Sequence, residues 1–163
     1  MLPTIHANPL LFLSKNNPIM KLLLIGIFLI TSVLTKAQQI LDFKVKSEAN
    51  AKERTFMLDL MREEISRIDH VEIKFVVEHF NVGGNYAWFE GEAQQKDGKS
   101  LDFGPDFPGD CCRVLSLFQK NNGVWTIAEF LPFCTDVCHW GIANRFPSAP
   151  KGIFPPGEVY FAE

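Results

Sequence analysis

Residues 51–68 read AKERTFMLDLMREEISRI, and the interpretation of the whole chain starts from them. Apolar side chains recur there at spacings of three and four, as along the buried stripe of an amphipathic helix. Charged side chains fill most of the other positions, which suit contact with water. The pattern predicts one helix with a single buried face. Its apolar members are Phe56, Met57, Leu60, Met61, Ile65 and Ile68.

From residue 71 the apolar residues alternate with polar ones, a pattern typical of a strand with one face in water. Turn signals rich in Gly and Asn separate the strands that follow. Apolar and polar residues alternate only weakly over residues 38–46, which are predicted to form either a short strand or an ordered lead-in. Four strands are predicted, over residues 71–79, 86–94, 111–120 and 124–131.

Strands joined by short turns form an antiparallel meander, and the helix is the one sizeable element that can cover it. We therefore expect residues 38–163 to form a single α+β domain, one helix on a four-stranded antiparallel sheet. This order of elements resembles the cystatin-like layout and, more loosely, the NTF2-like one. The sheet face of Tyr86, Trp88, Glu90 and Glu92 is expected to be partly wet, and the chain after Pro132 to be an irregular tail.

The segment from Met20 to Ala37 has the pattern of a cleavable signal peptide. One Lys precedes a 13-residue, largely apolar run over residues 22–34, and a small residue stands at the predicted cleavage point, after Ala37. A membrane-spanning helix needs about 20 apolar residues, so this run is too short. We expect translation to begin at Met20, with residues 1–19 outside the native protein. The sequence thus predicts a periplasmic or secreted location.

Charge argues against nucleic acid as a partner. From Gln38 onward the chain has 13 basic and 19 acidic side chains, a net charge of −6. Basic residues do not cluster there, although phosphate binding depends on clustered Lys and Arg. No cofactor motif is recognised either.

The most informative side chains of the chain are its four cysteines, Cys111, Cys112, Cys134 and Cys138. In an exported chain they predict two disulfides. Cross-pairing of the first two with the last two is preferred, because a bridge between adjacent residues requires a strained peptide. Such bridges would hold the tail against the third strand. A zinc site that adds His139, or a redox-active pair, remains an alternative.

Two groups of side chains are candidates for a functional site. Asp136 and His139 could act as an acid–base pair, although Asp136 could equally cap a short helix. Phe103 and Phe107 lie in a Pro- and Gly-rich loop, where they form either a lid on the core or an exposed recognition patch. Trp140 lies beside His139, and with Asp136 these residues could meet at the open end of the sheet.

The stretch from Arg54 to Trp140 contains a series of landmarks. They are a helix that ends near Met61-Arg62, then Phe75-Val76-Val77, Tyr86-Ala87-Trp88-Phe89, Gln94, Asp97-Gly98, Cys111-Cys112, Gly123-Val124-Trp125 and Thr135-Asp136-Val137. In these landmarks the chain resembles a family of small exported bacterial proteins of unknown role. The resemblance implies one exported domain and carries over no catalytic residue.

The sequence favours a non-enzymatic exported module that binds a protein or an envelope component. The predicted binding residues are Phe103, Phe107, Asp136 and Trp140. One alternative is a small hydrolase or ligand carrier whose pocket uses Asp136 and His139, with Glu90 or Glu92. A deep polar pocket would favour that alternative, and a filled core would oppose it. A periplasmic redox or metal-handling protein built on the four cysteines is the other alternative.

Overall fold

The computed structural model describes residues 38–68, 72–104, 111–134, 137–157 and 160–162. The predicted signal peptide therefore lies outside the described residues. The elements in chain order are β1 (Ile40–Asp42), α1 (Ala51–Ile68), β2 (Ile73–Gly83), β3 (Tyr86–Gln95), β4 (Arg113–Asn121), β5 (Val124–Pro132), α2 (Ile142–Arg145) and a 3₁₀ turn (Lys151–Ile153).

The predicted α+β class and antiparallel meander are confirmed, but the strand count was wrong. The sheet has five strands in the order β1-β2-β3-β4-β5, all antiparallel. The extra strand, β1, comes from the segment left open in the sequence, and Ile40 pairs with Gly83 at the end of β2. Gly83 suits this position, because a Cβ there would lie 2.7 Å from Ile40 and 2.9 Å from Ile153.

Helix α1 forms over the predicted residues and packs against one face of the sheet. Its buried side chains are Met57, Leu58, Met61 and Ile65. Phe56 and Ile68 were expected in the buried stripe but are exposed, because the helix meets the sheet over a narrower arc. Under it, Phe80 contacts Phe89 edge-to-face, with ring centroids 5.4 Å apart. We call the buried side chains between α1 and the sheet, among them Met57, Met61, Phe80 and Phe89, the helix-side core.

The opposite face of the sheet has a core of its own, which the sequence did not predict. As expected, the face of Tyr86, Trp88, Glu90 and Glu92 is partly wet, since Glu92 is exposed. Trp88, Leu115 and Leu117 are fully buried there. Residues within 142–157 and 160–161 supply the cover, chiefly Ile142, Ala143, Ala149, Ile153, Phe154 and Tyr160. We call this the tail-side core.

Strand β4 explains why two covers are needed. All five consecutive residues 114–118 have no exposed surface, so both faces of this strand are removed from water. A strand that is apolar on both faces needs a layer on each side. Hydrogen bonds help to hold the tail layer, since a ring nitrogen of His79 lies 2.6 Å from the carbonyl oxygen of Ile153. The described part of the molecule is therefore three layers thick.

Candidate functional site

The cysteines form two local bridges, Cys111–Cys112 and Cys134–Cys138. The preferred cross-pairing was therefore wrong. Both Cys111 and Cys112 lie in a turn before β4, which begins at Arg113, so they do not point to the two faces of a strand. The backbone of this turn is joined to β3, where the Ala93 amide donates to the Cys112 carbonyl over 2.8 Å.

The bridges also bear on the zinc and redox alternatives. All four cysteines are disulfide-bonded in this structure, so none is present as a thiolate. Within the described residues, no group of three or more His, Cys, Asp or Glu side chains is arranged to hold a metal ion.

Phe103 packs onto the core rather than facing solvent, the first of the two arrangements predicted for it. It is half-buried against the helix-side core, and its ring centroid lies 4.6 Å from that of Phe133. Phe107 and Asp136 both lie outside the described residues. The recognition-patch hypothesis for this loop therefore rests on no described side chain.

Trp140 takes the opposite arrangement and faces solvent. It is 53% exposed, and Val137, three residues earlier, is 62% exposed. The Trp140 amide donates to the Val137 carbonyl over 3.0 Å, and the Cys134–Cys138 bridge closes the chain just before it. Gly141 follows with φ of 67°, a left-handed conformation that glycine adopts without steric cost. Two large apolar side chains thus project from a covalently restrained turn, the Val137–Trp140 turn.

His139 lies in the same turn, but its side chain points into the protein. It is 3% exposed, and its ring lies over Tyr160 with centroids 4.7 Å apart. Its Nδ1 atom is buried and has no hydrogen-bond partner among the described residues. Burial is the main cause that lowers the pKa of His139, and Arg113 lowers it further while Glu90 opposes the shift.

Glu90 is the polar centre of this part of the tail-side core. Its Oε1 atom accepts a hydrogen bond from Trp88 Nε1 at 2.8 Å and a second one from the Tyr160 hydroxyl. Burial, with the hydrogen bond to Glu90, raises the pKa of Tyr160. The phenol therefore stays protonated and remains a donor well above neutral pH.

The structure thus brings together Glu90 and His139, two residues of the predicted pocket, through Tyr160. Rings rather than an open cavity surround them, because Tyr160 fills the space between Trp88, His139 and Phe154. This filled arrangement is the one expected to oppose a hydrolase. Sequence reasoning missed Tyr160, since its segment has no periodic pattern. The one signal was the abundance of aromatic residues in a stretch rich in Pro and Gly.

A groove between α1 and the start of β5 was also missed. It has a volume of about 820 Å³, and Phe56 and Val124, both exposed, lie along it. Trp125 contributes a buried ring, over which the Lys120 ammonium lies at 5.1 Å from the centroid. That ammonium also pairs with Glu53, so its charge is already balanced within the protein.

Comparisons with known proteins add no relative. No family model, no curated protein and no solved structure matches this chain. The resemblance to small exported bacterial proteins therefore stays a prediction. In the described part of the chain, no helix is long and apolar enough to cross a membrane.

Proposed function

We propose that this chain is an exported, non-enzymatic module that binds a protein partner through the Val137–Trp140 turn. The observation that carries the proposal is the exposure of two large apolar side chains on a turn that a disulfide restrains. Exposed apolar groups that meet in one place are typical of interaction sites. A restrained turn loses little conformational entropy when it binds, which favours affinity.

Three further features support this reading. Trp is among the residues that most often dominate the binding energy of an interface. The best-formed polar cluster, around Glu90 and His139, is closed by packed rings, which disfavours hydrolysis as the main activity. Pairing of all four cysteines fits an oxidising compartment, which supports export.

The test is site-specific photo-crosslinking in the cells that produce the protein. A photo-reactive residue at position 137 should give discrete adducts, and Trp140→Ala in the same chain should sharply reduce them. A probe at Val45, which is 74% exposed but lies before α1, is the matched control and should give none.

The captured protein is then purified, and its Kd is measured directly. Trp140→Ala should weaken binding by about 30-fold, the equivalent of about 2 kcal/mol for a central aromatic contact. Val124→Ala removes an exposed side chain at the start of β5 and should leave the Kd unchanged. The proposed surface would be refuted if the probes at positions 45 and 137 gave the same adducts in equal yield. It would also be refuted if Trp140→Ala left the Kd unchanged. Recovery of the protein from cytosol with residues 20–37 uncut would refute export.

A further inference from the structure

We propose that Trp88, Glu90, His139 and Phe154 form an exchangeable binding site for a phenol, which the chain's own Tyr160 fills in cis. This inference concerns the tail-side core and is independent of the Val137–Trp140 turn. It assigns to the protein a ligand class, a phenolic ring with a free hydroxyl, and a mechanism by which the vacant site is normally hidden.

The ring of Tyr160 is held from several directions. His139 and Phe154 lie at shallow angles of 31° and 30° to it, with centroids 4.7 and 5.7 Å away. Trp88 meets the same ring edge-to-face at 5.6 Å and an interplanar angle of 83°. Stacked and edge-to-face contacts at these separations are the favourable geometries for aromatic pairs. Together these rings form a cage whose shape matches one six-membered aromatic ring.

The polar end of the cage selects a hydroxyl. Glu90 Oε1 is held in place by the Trp88 indole N–H at 2.8 Å, and the same oxygen accepts the Tyr160 O–H. Glu90 is half-buried and its Oε1 accepts both of these bonds, so a ring without a hydroxyl would cost it one hydrogen bond. The site should therefore distinguish a phenol from a plain hydrocarbon ring of similar size.

Two features indicate that Tyr160 can leave. It lies outside the five-stranded sheet, so its departure breaks no hydrogen bond between strands. Glu90, which accepts its hydroxyl, is also only half-buried, so the polar end of the cage lies near the surface. A ligand that binds only the open form has its affinity reduced by the fraction of time that Tyr160 occupies the site.

The experiment titrates p-cresol, which is the side chain of tyrosine as a free molecule, into the full chain while binding is followed by calorimetry. We expect measurable binding to the wild type, and binding to Tyr160→Ala that is tighter by about tenfold or more, because the competitor in cis has been removed. Toluene, which lacks the hydroxyl, should bind Tyr160→Ala about tenfold more weakly than p-cresol. Adding Glu90→Gln to Tyr160→Ala should remove most of that difference.

Tyr160→Phe provides a second variant in case Tyr160→Ala does not fold. It keeps the ring in cis but loses the hydrogen bond to Glu90, so p-cresol should displace that ring more readily and bind this variant more tightly than the wild type. N-acetyl-L-tyrosinamide distinguishes the source of the phenol. If it matches p-cresol, the site accepts a tyrosine on a polypeptide, and if p-cresol alone binds, the site takes a free small phenol.

Two results would overturn the proposal. If p-cresol binds Tyr160→Ala but neither the wild type nor Tyr160→Phe, Tyr160 is a permanent part of the core and the site is not exchangeable. If p-cresol and toluene bind Tyr160→Ala equally well, the variant contains only an apolar void without recognition of the hydroxyl.

Discussion

Ile153→Ala tests the claim that the tail is a structural layer of the domain. Ile153 has no exposed surface, and it packs in the tail-side core with Trp88 and Leu115. The substitution removes three buried carbons, which at about 0.8 kcal/mol each give about 2.4 kcal/mol of lost transfer free energy. The residual cavity adds to this, and the expected loss of unfolding free energy is about 2–5 kcal/mol. That is a large fraction of the stability of a typical domain.

Urea unfolding of the oxidised protein, followed by Trp fluorescence, measures this loss. Ile65→Ala in α1 is the matched reference, because Ile65 is equally buried on the other side of the sheet. Val45→Ala, at a 74% exposed position, should change the unfolding free energy by less than about 0.5 kcal/mol. If Ile153→Ala behaves like Val45→Ala while Ile65→Ala is costly, the tail does not cover the sheet and the three-layer description fails.

Two further predictions concern the bridges and the buried histidine. Trypsin digestion of the unreduced protein should release peptides 100–113 and 121–145 separately, each lighter by two hydrogens than its reduced form, whereas a single linked species would show cross-pairing. Because His139 has a lowered pKa, the unfolded chain takes up its proton first, so stability should fall as the pH drops below about 6.5, the ordinary value. His139→Phe keeps a ring over Tyr160, and urea unfolding at pH 7.5 and 5.5 should show a smaller loss for this variant than for the wild type; an equal loss would assign the effect to other groups.

The helix and the four long strands could be predicted because their signals are local. An apolar stripe at spacings of three and four identified α1, alternation identified β2, and turn signals separated β3, β4 and β5. The bounds of β3, β4 and β5 agree with the prediction to within two residues, whereas β2 continues past its predicted end to Gly83. Strand β1 is only Ile40–Asp42, too short for alternation to separate it from a lead-in. Its pairing with the end of β2 depends on tertiary structure, which a periodic pattern does not encode.

The candidate sites were less predictable, because they depend on contacts between distant segments. Glu90 and Tyr160 are 70 residues apart, and no spacing rule connects them. The cysteine pairing failed for a different reason. Cross-pairing was preferred because a bridge between adjacent residues requires a strained peptide, yet Cys111 is bridged to Cys112 in the turn before β4. A general preference against that geometry did not decide this individual case.

Local bridges change how the tail is held in place. If disulfides joined the tail to the start of β4, the tail would stay near the sheet even when its packing loosened. With Cys134–Cys138 closing only one turn, the layer from Ile142 to Phe161 depends on apolar contacts and a few hydrogen bonds for its position. Packing of this kind can open locally at a free energy below that of global unfolding. The absence of a long-range bridge therefore allows Tyr160 to leave its site while the disulfides stay intact.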